Sequence, residues 1–338
     1  MKLNLGSQTW YDRNKILLPY YFSPIKGLVN QTIPNMYQTV SPILLLTFNR
    51  LDHTLKVFDA VKKVKPSKLY IANDGPREGN ERDQVNTKAI RETLTEKVDW
   101  DCEIKVLFRD ENWGCRRSVS DAINWFFHHE EKGIILEDDC LPETSFFQYC
   151  DELLALYNDN NEIGAISGHG VYGEWHSDKK SSYAVVNYPL IWGWASWRRV
   201  WNQYDVDLAF AKNTEIRDFE GLNQSSKATI RFWSEKASQI TSIDTWDYQL
   251  SLMFLKEGLK CLVPKVNLIE NIGFDQASHK QNAFLTGIPV KSMTFPLVHP
   301  KSLEIDQRIR NVLESQEYFQ YTVPKRLFNK FLKLVNHE

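Results

Sequence analysis

Residues 133–140 read Gly-Ile-Ile-Leu-Glu-Asp-Asp-Cys, an apolar segment that runs without a spacer into three acids, Glu137, Asp138 and Asp139. Charge of one sign held against a buried segment costs energy unless something balances it. The balancing partner is a salt bridge, water or a metal ion. In open α/β sheets ligands bind outside the carboxyl ends of the strands, so acids that close a buried strand stand where a site forms.

The neighbouring segments supply such a sheet. Pro42-Ile-Leu-Leu-Leu-Thr47 is a continuous apolar run bounded by Pro and polar residues, as a strand buried on both faces requires. Asp52 is a plausible N-cap for a helix to about Lys63, with Leu55, Phe58 and Val61 on one side. Lys68–Ala72 reads as a second strand, ending in the turn signal Asn73-Asp74-Gly75-Pro76. A polar helix over 82–95, a strand over 102–108, a helix over 118–127, the strand core Ile134–Leu136 and a helix over 145–157 continue the alternation. This order predicts a largely parallel sheet with helices on both faces. Asn49-Arg50, Asp74 and the three acids then share its carboxyl edge. Past Ile163-Gly-Ala-Ile166 the pattern loosens, with helices expected near 194–202 and 244–257 and short strands over 259–263 and 266–269. The first 40 residues show no clear period and read as an extension.

Composition narrows the class. At 338 residues the chain suits two ordinary domains or one large α/β domain. A net charge of −2 argues against a nucleic-acid binder that relies on a broad basic face. The 11 Trp supply platforms for sugar rings. The five cysteines are scattered without a CxxC pair, which is neither a zinc spacing nor a secreted disulfide framework. The N-terminal stretch lacks the apolar core of a signal peptide, and no run of 18 or more apolar residues occurs. A cytoplasmic location is expected.

Among the chemistry-bearing residues, the acids suit a hard divalent cation, Mg²⁺ or Mn²⁺, which takes a few protein oxygens and borrows the rest from water and phosphates. The alternative is a solvated loop. Arg50 donates to carbonyl oxygens and Asp74 accepts from an imide N–H, so the two suit a uracil-type base. Alone, Asp74 is better read as the start of a turn. Arg116 and Arg117 stand at a helix start suited to phosphate, or equally pair with Glu111 or Asp121. A literal GxGxxG at Gly168–Gly173 opens no amphipathic helix, which rules out a dinucleotide fingerprint there. Trp192, Trp194, Trp197 and Trp201 fall within ten positions, the first two beside Gly193 suited to ligand contact and the last two to core. Asp244 reads as the N-cap of the helix over 244–257, and Asp247, near its third position, as a dipole partner or a general base. His279 is a lone histidine, and His128-His129-Glu130-Glu131 reads as solvated charge closing a helix.

Together these features resemble the GT-A nucleotide-sugar glycosyltransferases, and within them family 13, the N-acetylglucosaminyltransferase I type. The likeness rests on Glu137-Asp-Asp-Cys-Leu-Pro142-Glu-Thr-Ser-Phe146-Phe147-Gln-Tyr149 and spans motifs from Pro42 to His279. It implies a Rossmann-like α/β/α sandwich with a mixed, mostly parallel central sheet. It further implies a nucleotide site of Thr47, Asn49, Arg50, Asp74, Arg116, Arg117, Glu137 and Asp138. Asp139 would be the direct metal ligand, for Mn²⁺ or Mg²⁺, with His279 as a second candidate. Trp192, Gly193 and Trp194 would border the donor sugar and Asp247 would be the catalytic base. The partners implied are a UDP-sugar and a glycan or lipid-linked saccharide acceptor.

Residues 41–290 are then the catalytic domain, 41–140 its nucleotide-binding half and 141–290 its acceptor half, followed by a tail over 291–338. The chain shows no N-terminal anchor or stem of the lumenal relatives, so the expectation is a bacterial surface-polysaccharide enzyme. Val323–Val335 reads as a basic amphipathic helix that packs on the domain or rests on an anionic membrane. A retaining glycosyltransferase and a non-catalytic glycan-binding subunit are the rival readings. A pyrophosphorylase is disfavoured because Thr47-Phe-Asn-Arg50 is no Gly-rich phosphate loop with a Lys.

Overall fold

A computed structural model of the chain describes residues 37–171, 176–212, 214–223, 225–273 and 288–317. The first half alternates as the apolar runs require: β1 (Ile43–Thr47), α1 (Leu51–Val64), β2 (Lys68–Asn73), α2 (Glu81–Glu96), β3 (Glu103–Phe108), α3 (Gly114–His129) and β4 (Lys132–Glu137). Then come β5 (Cys140–Pro142), α4 (Ser145–Leu156), β6 (Ile163–Ser167), β7 (Tyr183–Val186), β8 (Trp194–Trp197) and α5 (Arg198–Trp201). The last elements are α6 (Lys227–Gln239), α7 (Asp247–Glu257), β9 (Lys260–Pro264), β10 (Ile269–Asn271) and α8 (Gln307–Glu317).

Eight strands form one sheet in the order β3-β2-β1-β4-β8-β6-β9-β7. Neighbours β3/β2, β2/β1, β1/β4 and β6/β9 are parallel, and the other three pairs are antiparallel. With helices packed against it, this is the expected α/β/α sandwich with a mixed, mostly parallel sheet. Ile43–Leu45 and Ile134–Leu136 are wholly buried, which is why both strands read as unbroken apolar runs. Gly133 opens the acidic stretch because Phe126 of α3 crosses it; a Cβ there would stand 2.3 Å from the ring. Register then fixes the edge: Leu46 lies opposite Glu137 and Thr47 opposite Asn73. The chain therefore leaves β1, β2 and β4 at one level.

The second half corrects the sequence reading. Trp194–Trp197 is a strand, not the first turn of a helix, and only Arg198–Trp201 is helical. The i, i+3, i+7 spacing fits a helix, but pairing with β4 on one side and β6 on the other satisfies this backbone in the sheet. The strand expected over 266–269 forms only at Ile269–Asn271, against β5.

Two polar clasps tie peripheral segments to this body. The Asp151 carboxylate of α4 accepts from Tyr37 Oη (2.6 Å), Thr39 Oγ1 (2.8 Å), Val40 N (3.0 Å) and Ser41 N (3.1 Å). Truncation would strand four donors, two of them backbone. Asp151→Ala is therefore expected to cost about 3 kcal/mol, read from urea unfolding; a loss under about 1 kcal/mol would mean that the clasp adds nothing. At the other end, buried Arg310 of α8 bonds Glu314 (2.9 Å), the carbonyls of Gly221 (3.3 Å) and Asn223 (3.2 Å), and Ser225 (2.5 Å). The amphipathic helix expected over 323–335 lies outside the described residues. Among those described, no helix is long and apolar enough to cross a membrane.

Candidate active site

The loops leaving β1, β2 and β4 meet the start of α3 and the turn before α7 around a cleft of about 360 Å³. Thr47, Phe48, Arg50, Arg77, Asn112 and Glu137 are among its lining residues. A larger cavity of about 820 Å³ lies apart from these strand ends, between residues 211–217 and α6.

The three acids are not equivalent. Asp138 is buried, and its carboxylate accepts from Phe48 N (3.3 Å) and from Arg50 Nη2. Burial pushes its pKa up against the pull of Arg50 and its own hydrogen bonds. Asp139 takes the other arm of the same guanidinium, Oδ2 to Nη1 at 3.0 Å. Its backbone carbonyl accepts from Ile272 N (2.8 Å), and Gly273 lies against the pair, where a Cβ would stand 2.5 Å from Asp139 Oδ2. Glu137 differs: no hydrogen bond or ion pair holds its carboxylate among the described residues. Burial first, then the carboxylates of Asp139, Asp138 and Asp247, push it up to about 8. Arg50 thus answers for two acids, and the third has no cation.

The remaining candidates are placed unevenly. Asp74 is engaged by the chain itself, accepting from Gly75 N (2.9 Å), Trp113 N (3.0 Å), Gly114 N (3.2 Å) and Asn112 Nδ2 (2.9 Å). That fills the capacity of a carboxylate, so Asp74 orders the entry to α3 rather than offering an oxygen to a base. Thr47 Oγ1 donates to Ala72 O (2.9 Å) and accepts from Asn73 Nδ2. Asn49 turns to Asp83 (2.6 Å). Neither Arg116 nor Arg117 lines the cleft. Arg116 is drawn to Val206 O (2.7 Å) and Asp207 (2.8 Å), and Arg117 lies 3.7 Å over the Trp113 ring. The start of α3 is already capped by a carboxylate.

That carboxylate belongs to Asp244, which accepts from Cys115 N (3.0 Å) and Arg116 N (2.8 Å). Asp244 therefore caps α3 and not α7, whose first residue is Asp247 itself. Asp247 Oδ1 accepts from Thr245 Oγ1 and from Tyr248 N (2.9 Å). Asp247 is not among the residues that line the cleft, but its charge is felt by Glu137 and Cys115, which are, and by Tyr204.

Gly193 lies against the strand that carries the acids. Gly193 has φ +61°, and a Cβ there would stand 2.5 Å from Ile269 and 3.3 Å from Leu136, the residue before Glu137. Trp192 stacks on His169 at 4.3 Å. Trp194 is core instead, 1% exposed and stacked on Trp246 at 5.9 Å. His279 lies outside the described residues.

Two cleft residues carried no signal in the sequence. Arg77 lines the cleft with its guanidinium 5.5 Å from the Phe48 ring, held by both oxygens of Asp83 (2.5 and 3.0 Å). That pair, with Asn49, keeps the Asp83 carboxyl down at about 2. Cys115 lines the cleft with part of its surface open to solvent, and partial desolvation with the charges of Glu137, Asp244, Asp247 and Asp74 pushes its thiol up to about 12.

A divalent cation fits this donor set on one condition. No three His, Cys, Asp or Glu side chains among the described residues are grouped to hold a metal by themselves. The acids offer hard oxygens, and Glu137 is a carboxylate opposed by like charges with no cation of its own. Mg²⁺ or Mn²⁺ bound through one or two of these oxygens would need a phosphate ligand to complete its shell.

No protein-family model matches the chain, and no curated protein matches it. Solved structures do. UDP-glucose pyrophosphorylase complexed with UDP-glucose superposes with a TM-score of 0.34 and 7% identity, over 69% of this chain and 94% of that one. HddC from Yersinia pseudotuberculosis gives 0.30 and 8%, over 52% and 87%. A 4-diphosphocytidyl-2C-methyl-D-erythritol synthase from Anaerococcus prevotii gives 0.30 and 9%, over 64% and 97%.

Proposed function

We propose that the chain is a metal-dependent inverting glycosyltransferase that moves a hexosyl or N-acetylhexosaminyl group from a UDP-sugar to a hydroxyl of a glycan or lipid-linked acceptor. One observation carries the reading. Glu137, Asp138 and Asp139 close a buried strand at the carboxyl edge of the sheet, and the charge of Asp247, from the second half of the chain, is felt by the first of them, Glu137. Residues 41–140 hold the nucleotide and 141–290 bring the acceptor. The family 13 likeness of the acidic motif assigns the same roles.

Each residue has a task in that reaction. Phe48 and Arg77 offer a ring and a guanidinium at the nucleotide end of the cleft. Arg50 fixes Asp138 and Asp139 in one orientation. Asp139, with Glu137 beside it, would hold Mn²⁺ or Mg²⁺ together with the donor diphosphate; when bound, the cation would supply charge that stabilises the leaving group. Trp192 and Gly193 border the sugar. Asp247 takes the proton of the acceptor hydroxyl as that oxygen attacks the anomeric carbon. One displacement inverts the anomer.

The test is turnover of a UDP-sugar panel with Mn²⁺, Mg²⁺ or chelator, followed by NMR of the product anomer. Asp139→Ala is expected to abolish metal-dependent turnover while the fold melts normally, since Asp139 is the rim member of the pair on Arg50. Turnover that ignores both chelator and Asp139→Ala would sink the metal reading.

A further inference from the structure

The turn that delivers Asp247 is held by contacts on both sides of Thr245. Asp244 anchors it to the start of α3 through the N–H groups of Cys115 and Arg116. Thr245 N donates to Ile243 O (3.0 Å), and Thr245 O accepts from the buried Gln249 amide (2.8 Å). Trp246 O accepts from Tyr204 Oη (3.1 Å), and the Trp246 ring stacks on Trp194. The backbone on either side of Thr245 is therefore held independently of the Thr245 side chain.

Among the described residues that side chain has one partner, Asp247. Its Oγ1 donates to Asp247 Oδ1, the oxygen that also accepts from Tyr248 N. Two donors on one oxygen set the plane of the carboxylate and leave Oδ2 without a partner among the described residues. A base works on one lone pair at one distance, and an ångström of misplacement costs about 10²-fold in rate. Thr245 itself is not among the residues that line the nucleotide cleft.

We propose that Thr245 is a positioning residue of the transfer reaction, whose hydroxyl holds Asp247 Oδ1 so that Oδ2 alone is presented to the acceptor. The proposal rests on the reading of Asp247 as the base. Valine has the shape of threonine without the donor, so it removes this bond and little else.

The experiment measures kcat, donor KM and melting temperature for wild type, T245V, T245S, D247N and the D247N/T245V double variant. T245V is expected to lower kcat by about 10- to 100-fold with donor KM unchanged, and T245S to restore most of it. In the D247N background T245V is expected to do nothing more, because the group it positions is gone. Should T245V melt early, T245A and T245S carry the same comparison. Wild-type kcat in T245V and T245A, or a T245V loss that persists in full on D247N, overturns the role of Thr245 alone. Full activity in D247N overturns the base reading beneath it.

Discussion

Asp247→Asn is expected to lower turnover by about 10²- to 10⁴-fold, the usual worth of a general base, while donor affinity stays within about twofold. The substitution is close to isosteric. The amide oxygen keeps the bonds that Oδ1 now accepts from Thr245 and Tyr248 N, and the amide nitrogen occupies the place of Oδ2. A nitrogen with two hydrogens cannot take a proton from a hydroxyl. α7 has no side-chain cap to lose, so its start keeps its hydrogen bonds and gives up only the interaction of one carboxylate with the helix dipole. The measurement pairs steady-state UDP release with calorimetric titration of UDP-sugar. A drop in affinity with kcat preserved would instead place Asp247 among the donor contacts.

How far the site was readable in the sequence follows from how local each contact is. The acids were legible because a strand buried on both faces leaves an unbroken apolar run, and whatever ends the run stands at the sheet's edge. Leu46 opposite Glu137 is the pairing that turns the reading into geometry. Arg50 was legible for the same reason, at the end of the first such run. Its partners were not, since Asp138 lies 88 residues on and either a base or a carboxylate satisfies a guanidinium.

The misplaced residues share one cause. Asp244 has a local role as an N-cap and a distant one 129 residues back, at Cys115, and the distant one holds. Arg116 stands at a helix start, where phosphate is the natural partner, but Val206 and Asp207 reach it first. Trp194 has the spacing of a helical face and sits in a strand that pairs on both sides. In each case a nearest-neighbour rule was sound and a contact about 30 or more residues away overrode it.

The same geometry makes Arg50 the residue whose loss reaches furthest. Arg50→Met is expected to destabilise the fold by about 2–4 kcal/mol and to abolish nucleotide-sugar binding. The stability loss comes from Asp138, whose side chain is 5% exposed and would either hold its charge with only the Phe48 N–H opposite it among the described residues or take up a proton to shed it. The figure stays below that of a fully buried pair because a third of the Arg50 side chain meets solvent. The binding loss has a separate origin: without the guanidinium the Asp139 carboxylate keeps only the weak bond from Cys140 Sγ (3.5 Å) among the described residues, so the oxygen proposed for the cation is free to turn. Arg50→Lys keeps the charge but not the fork, and one ammonium replaces the guanidinium arms that now reach both carboxylates. It is expected to recover much of the stability and little of the binding. Pairing Arg50→Met with Asp138→Asn separates the effects, since it removes the stranded charge and leaves Asp139 unheld. Thermal melting should return most of the way to wild type in that double variant, with UDP-sugar binding still absent. If binding returned together with stability, Arg50 would be a structural counter-charge alone, and the orientation of Asp139 would have to come from the backbone of Ile272 and Gly273.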